Sequence, residues 1–280
     1  MIKYRQNFKT RKLLKLTDNL TCQESKNMMF DLQKANMGKR ISAFVFDLII
    51  TLTLTVAFGT IISLVTRYDY HYKTCLGIIE SYESKYDISY YIDENEYTSL
   101  SEEGKRNYDS LCTAIGTDEE FLRHNHIYFN LTLVIISLGL LLAIAAVDFV
   151  VPLILKDGKT FGKKIFGLGV MRTDHVKVTP LFIFIRTFLG KYTIETMVPV
   201  LLSIMLYFGM IDITGTIVIL GLLILQIVCM AATKTNSCIH DLFAGTVVID
   251  FPTQKIYDTK EEMIAAKEKA ALEKAQKAAY

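Results

Sequence analysis

Three long stretches of this chain contain no lysine or arginine: residues 41–66, 127–155 and 194–233. Of the 29 acidic residues they hold only Asp47, Asp148, Glu195 and Asp212. A water-soluble fold spreads its charge over the whole surface, so sorting on this scale excludes that class. The first 40 residues lack the apolar core of a cleaved signal peptide. No Gly-x-Ser-x-Gly elbow occurs, and no pair of histidines at helical spacing with a glutamate, so the common hydrolase signatures are missing. Gly158-Lys159-Thr160 ends like a phosphate-binding loop, but Leu153 stands where that loop needs its first glycine. The expectation is a protein that is not an enzyme, with no catalytic residue, no cofactor and no metal site. Its formal net charge of +2 averages segments of opposite sign and does not imply nucleic-acid binding.

What is present is lipid-compatible helix. A hydrocarbon core about 30 Å thick needs roughly 20 apolar residues. Residues 41–66 and 127–155 each satisfy that. The third stretch is about twice as long and is broken at Asp212-Ile213-Thr214-Gly215, which predicts a helical hairpin with spans at 194–211 and 214–233. The fold expected is all-α integral membrane: four transmembrane helices, a small extracellular insert at 67–126 and a cytoplasmic β-hairpin-like loop within 156–193.

Charge sets the expected orientation. Residues 1–40 carry ten Lys or Arg against three acids, 67–126 six against thirteen, and 156–193 eight against two. Basic segments stay on the cytoplasmic side, so both termini and the 156–193 loop are read as inside and the acidic, tyrosine-rich insert as outside. That leaves Cys75 and Cys112 as the two cysteines outside, Cys22 and Cys238 inside, and Cys229 within the last span. A Cys75–Cys112 disulfide is expected; the other reading is two free thiols. Within the insert, Ser99 and Ser101 are candidate caps for a short helix whose first turn carries Glu102 and Glu103. His124 and His126 flank a span, where ring-bearing residues mark an interface more often than a metal site.

The acids in lipid are the candidate functional residues. Asp47 follows Arg40 by seven residues, almost two turns, so both lie on one helix face. Asp148 precedes Lys156 by eight. Placing an ionisable group at a helix centre costs about 2.5–3.5 kcal/mol on insertion scales, and such groups face a bundle interior or a wet cavity. Two readings stand side by side: a proton or cation site using Asp47 and Asp148, or fixed partners that hold helices together. Pro152 and Pro199 predict kinks.

Three blocks carry a family resemblance. They are Gly38-Lys39-Arg40 running to Asp47, Asp157-Gly-Lys-Thr-Phe-Gly-Lys-Lys-Ile-Phe-Gly167 with Leu-Gly-Val170, and His240-Asp241-Leu-Phe-Ala-Gly245-Thr246. In this order they resemble the RDD family of membrane proteins, named for one Arg and two Asp, which would here be Arg40, Asp47 and Asp241. The resemblance implies a multi-span membrane protein of a bacterial-type plasma membrane, with transport suggested and sodium/proton antiport proposed for some members. The insert and the charged tail at 234–280 depart from the compact family pattern.

In the 156–193 loop, Val170 to Val178 alternates as two short strands turning near Asp174-His175, and Ala244 to Asp250 reads as a turn and strand able to join them. Thr179-Pro180 opens an apolar stretch to Leu189, broken by Arg186, which fits an interfacial helix with snorkelling cations. Arg186 turned inward would pair with Asp47 or Asp241. From Lys260 the tail is rich in Ala, Lys and Glu and reads as a solvated helix. The function expected is transport of a small ion or solute through Asp47 and Asp148. The rival is an accessory subunit that shows its insert and tail to partners. Partners are the lipid bilayer and either further copies of the chain or a foreign membrane protein. Four helices are few for a self-contained secondary transporter, which favours an oligomer if transport is right.

Overall fold

The computed structural model describes residues 35–233, 235–252 and 256–278; most of the basic N-terminal segment, with Cys22, lies outside the described residues. Among the described residues four helices are long and apolar enough to cross a membrane: α1 (Met37–Thr66), α5 (Glu119–Leu155), α7 (Pro180–Tyr207) and α8 (Ile213–Ala232). Between α1 and α5 lie α2 (Tyr68–Tyr86), α3 (Glu94–Ser99) and α4 (Glu102–Thr117). Between α5 and α7 come α6 (Phe161–Ile165) and β1 (Leu168–Arg172), and after α8 come α9 (Ile239–Ala244), β2 (Thr246–Asp250) and α10 (Lys260–Ala278).

The third span departs from the sequence expectation. The apolar run after Pro180 is no separate interfacial helix; it is the first part of one continuous helix that ends at Tyr207. The predicted kinks at proline take the form of π-helical stretches, at Ala145–Val150 before Pro152 and at Ile185–Met197 before Pro199. Proline cannot donate a backbone N–H and its ring crowds the carbonyl one turn back, so the preceding turn widens. The Val151 and Val198 N–H groups accordingly reach Ala146 and Thr193, five residues back. Such widened turns collect at functional positions, and here they carry Asp148, Arg186, Lys191 and Glu195.

The described residues divide into two compact units, one of residues 35–51 with those from 144 onward and one of residues 52–143. In the first, β1 pairs antiparallel with β2, Val170 opposite Val248 and Met171 opposite Val247. The second strand of the expected local hairpin is reduced to a single bridge from Met171 to Lys177. Period-2 alternation sends Leu168, Val170 and Val248 to a core with Ala43 and Ile183, and Met171, Val247 and Ile249 to a second one. The ladder continues outward: the Ala35 N–H donates to Val248 O at 3.4 Å, and Lys39 pairs with Asp250 at 2.7 Å.

In the second unit, Ile79 of α2 meets Leu111 and Ile115 of α4, ringed by Tyr82, Tyr86, Tyr90 and Tyr108. Asp93 and Glu96 close a capping box on α3, and Ser101 caps α4 by accepting from the Gly104 N–H at 3.1 Å. Ser99 ends α3 instead. His124 is buried, and its Nδ1 lies 3.1 Å from that of His71. The expected disulfide is absent: Cys75 and Cys112 are both free. Cys75 lies one turn before Ile79 on the buried stripe of α2. Cys112 follows Leu111, so about 100° of helical rotation turns it away from the Leu111–Ile115 stripe.

Candidate functional site: a buried charge network

Arg40, Asp47, Asp148, Arg186 and Asp241, the candidate site residues, fall in the first unit. Asp241 is fully buried at the third position of α9. Its Oδ1 accepts from Arg186 Nε at 2.9 Å, its Oδ2 from Arg40 Nη2 at 3.1 Å and from the Cys238 N–H at 3.3 Å. Burial opposes its ionisation, but the Arg186 and Arg40 guanidinium groups outweigh that and hold the carboxyl well below the usual carboxylate range. Arg186 also donates through Nη2 to His240 Nε2 at 3.0 Å, while His240 Nδ1 lies 2.7 Å from Glu195 Oε2. The ring therefore presents a donor to Glu195 and an acceptor to Arg186. Gly190 makes this crossing of α7 and α9 feasible, since a Cβ there would sit 2.6 Å from His240 Cα.

Asp47 does not pair with Arg40. It is capped by the loop after α5: Thr160 Oγ1 donates to Oδ2, the Gly162 N–H donates to Oδ1 at 2.8 Å, and Lys163 Nζ lies 3.9 Å from Oδ2. A Cβ on Gly162 would come within 2.3 Å of Ala43 O, so only glycine lets the loop reach the carboxylate. The false phosphate-loop ending thus has a structural use, with Thr160 on Asp47 and Lys159 over the Phe251 ring at 3.4 Å. Asp148 is held by Lys191 Nζ, and its backbone oxygen accepts from Thr187 Oγ1 at 2.8 Å. Lys163 lies in the field of both acids. Burial, then Arg186, push its ammonium down to about 8 against the pull of Asp148 and Asp47.

The sequence predicts one cytoplasmic-side network of Arg40, Asp47, Arg186 and Asp241; Arg40, Arg186 and Asp241 do come together, whereas Asp47 stands apart on Thr160, Gly162 and Lys163. Sequence reasoning singled out Asp47 and Asp148 but missed their partners Thr160, Lys163 and Lys191, and missed His240 and Glu195 as the outer pair. The available signal was a demand: each acid in lipid requires a partner, and the 156–193 loop with its eight cations is the nearest source.

A cavity of about 200 Å³ opens beside the network, lined by Arg40, Asp47, Lys163, Arg186 and His240 with Ile41, Phe44 and Met230 among the apolar walls. Cys238, His240 and Asp241 also bring three metal-ligand atoms within 4.8 Å of one another. That set does not fit a cation, because both Asp241 oxygens already hold guanidinium groups and burial pushes the Cys238 thiol up to about 11, far from the thiolate a metal needs.

Four apolar helices with ion pairs sunk among their ends define a multi-span integral membrane protein. The chain belongs to the RDD family, whose model matches residues 34–245. No curated protein and no solved structure matches it.

Proposed function

We propose that the protein moves a small ion or solute across the membrane, with Asp47, Lys163 and Asp148 as its exchange site. The observation that supports this is Lys163, a largely buried amine with its pKa lowered to about 8, 3.9 Å from the Asp47 carboxylate and in the field of Asp148. Holding its proton, Lys163 neutralises Asp47. Giving it up leaves Asp47 a carboxylate with only the Thr160 and Gly162 donors, open to an incoming cation. Proton release and cation uptake then compete at one group. We place both termini and the 156–193 loop in the cytoplasm of a bacterial-type plasma membrane, on the charge distribution, and assign the protein no enzymatic activity. Labelling of Lys164→Cys by an impermeant thiol reagent outside intact cells would reverse that orientation.

Proteoliposome flux under imposed Na⁺, K⁺ and H⁺ gradients tests the reading. Wild-type protein should show flux that rises as pH approaches about 8 from below. Asp47→Asn should remain folded, since the amide still accepts from the Gly162 N–H and the amine opposite can shed its proton, yet flux should be lost. Lys163→Arg should keep the charge pair and abolish the pH dependence, because a guanidinium does not titrate there. The stability sign is separate: the folded value of about 8 lies below the unfolded value near 10.4, so the Lys163 contribution rises as pH climbs from about 8 toward 10. Wild-type protein with no flux of any of the three ions would sink the transport reading. The rival, an accessory subunit, is supported by the exposed Tyr70, Tyr72 and Tyr91 of the 67–126 insert; a stoichiometric foreign protein retained in mild detergent would favour it.

A further inference from the structure

The cavity beside the network has a composition that the exchange reading does not use. Three cationic side chains line it, Arg40, Lys163 and Arg186, against the single lining carboxylate of Asp47. Asp241 behind them offers one oxygen to each arginine. Asp241 and Glu195, the latter 2.7 Å from the lining His240, offset the remaining two charges from behind, so the excess of cations is confined to the cavity wall. Each guanidinium has five N–H donors in a planar fork that matches a phosphate as well as a carboxylate; Asp241, the Thr235 carbonyl and Cys238 Sγ take part of the Arg40 fork and Asp241 with His240 part of the Arg186 fork, and donors remain on both.

Position and size narrow the ligand. Arg40, Ile41 and Phe44 belong to the first turns of α1, and Gln226 and Met230 to the last turns of α8, so the cavity sits where two spans meet the membrane edge. Ile41 and Phe44 are 49% and 56% exposed, on a helix whose outward face is apolar. At about 200 Å³ the space is smaller than the roughly 300–1,000 Å³ typical of pockets that enclose a whole organic ligand. It suits a charged head whose apolar remainder lies outside along the helices. Basic pockets between spanning helices take anionic headgroups in this way.

We propose that this cavity binds the phosphate of an anionic membrane lipid, with Arg40, Arg186 and Lys163 as its donors and Ile41 and Phe44 at the acyl side of the mouth. The assignment goes beyond the transport reading and does not rest on it, since binding is measured without flux.

The test is native mass spectrometry of the full chain in detergent micelles with added phosphatidylglycerol or phosphatidylcholine. One phosphatidylglycerol should be retained in about tenfold preference to phosphatidylcholine, the latter carrying the same phosphate with no net charge. Ile41→Trp fills the mouth from an exposed position and should cut retention about fivefold with thermal unfolding unchanged; Lys163→Gln removes a lining charge and should cut it about as much. Equal retention of the two lipids overturns the proposal, as does undiminished phosphatidylglycerol binding in both variants. Displacement of the lipid by millimolar inorganic phosphate alone would transfer the site to a soluble anion and overturn the lipid assignment.

Discussion

The two units solve the same problem, ordering short elements next to membrane-spanning helices, with opposite chemistry. Around Asp241 the buried groups are charged, and each is satisfied by a partner from a distant part of the sequence: Arg40 from 201 positions away, Arg186 from 55. Around Leu111 the buried groups are aliphatic and aromatic, and polar atoms are kept at the margin, as where Tyr82 donates to Asp118 at 3.0 Å. A charge network makes a poor glue by energy alone, because the desolvation of both ions offsets their attraction. What it supplies is exclusivity, since a misplaced partner leaves a bare charge. An apolar cluster stabilises more per residue but tolerates many packings.

The largest effect should come from breaking the first kind of core. Asp241→Ala strands two guanidinium groups at once and is expected to cost about 3–5 kcal/mol, read as loss of folded protein in a thermal melt. If Arg40→Met with Arg186→Met in that background restores much of the loss, the penalty lies in the unpaired charges; additive damage would deny that the three residues form one network. Next comes the second kind. Leu111→Ala should cost about 2–4 kcal/mol by emptying a fully buried site, and hydrogen exchange should rise in 68–117 while the α7–α9 crossing stays protected. Equal deprotection of both regions would mean that the two units do not open independently. The smallest effect is local: Ser101→Ala removes the cap on α4 and should cost about 1 kcal/mol, seen as fraying of its first turn in amide exchange.

The absence of the Cys75–Cys112 bond belongs to the same contrast. Sharing a compartment made the pair plausible, but a disulfide needs facing Cβ vectors, and on α4 it is Leu111 and Ile115 that face α2. The error was one of rotation, with the helices themselves correctly expected. The same holds for the third span, where charge and proline signals at 180–193 indicated a break, yet the chain continues as helix because widened turns absorb Pro199 and turn Arg186 and Lys191 inward.

Apolar run length and charge distribution by themselves determined that there are four spans, though not where the third begins, since the cost of charge in hydrocarbon leaves few other places for those residues. They also marked Asp47, Asp148 and Asp241 as groups needing partners, and alternation marked 170–178 as a strand pair and 244–250 as a turn and strand, of which the 170–178 pair formed only in its first half. Only the tertiary structure decided which cation meets which acid. Pairing Asp47 with Thr160 and Lys163 depends on a glycine small enough for close approach, and pairing Asp148 with Lys191 on a widened turn that shifts side chains around the helix. Neither is a property of residue spacing along a regular helix; both arise from how backbones pack against one another.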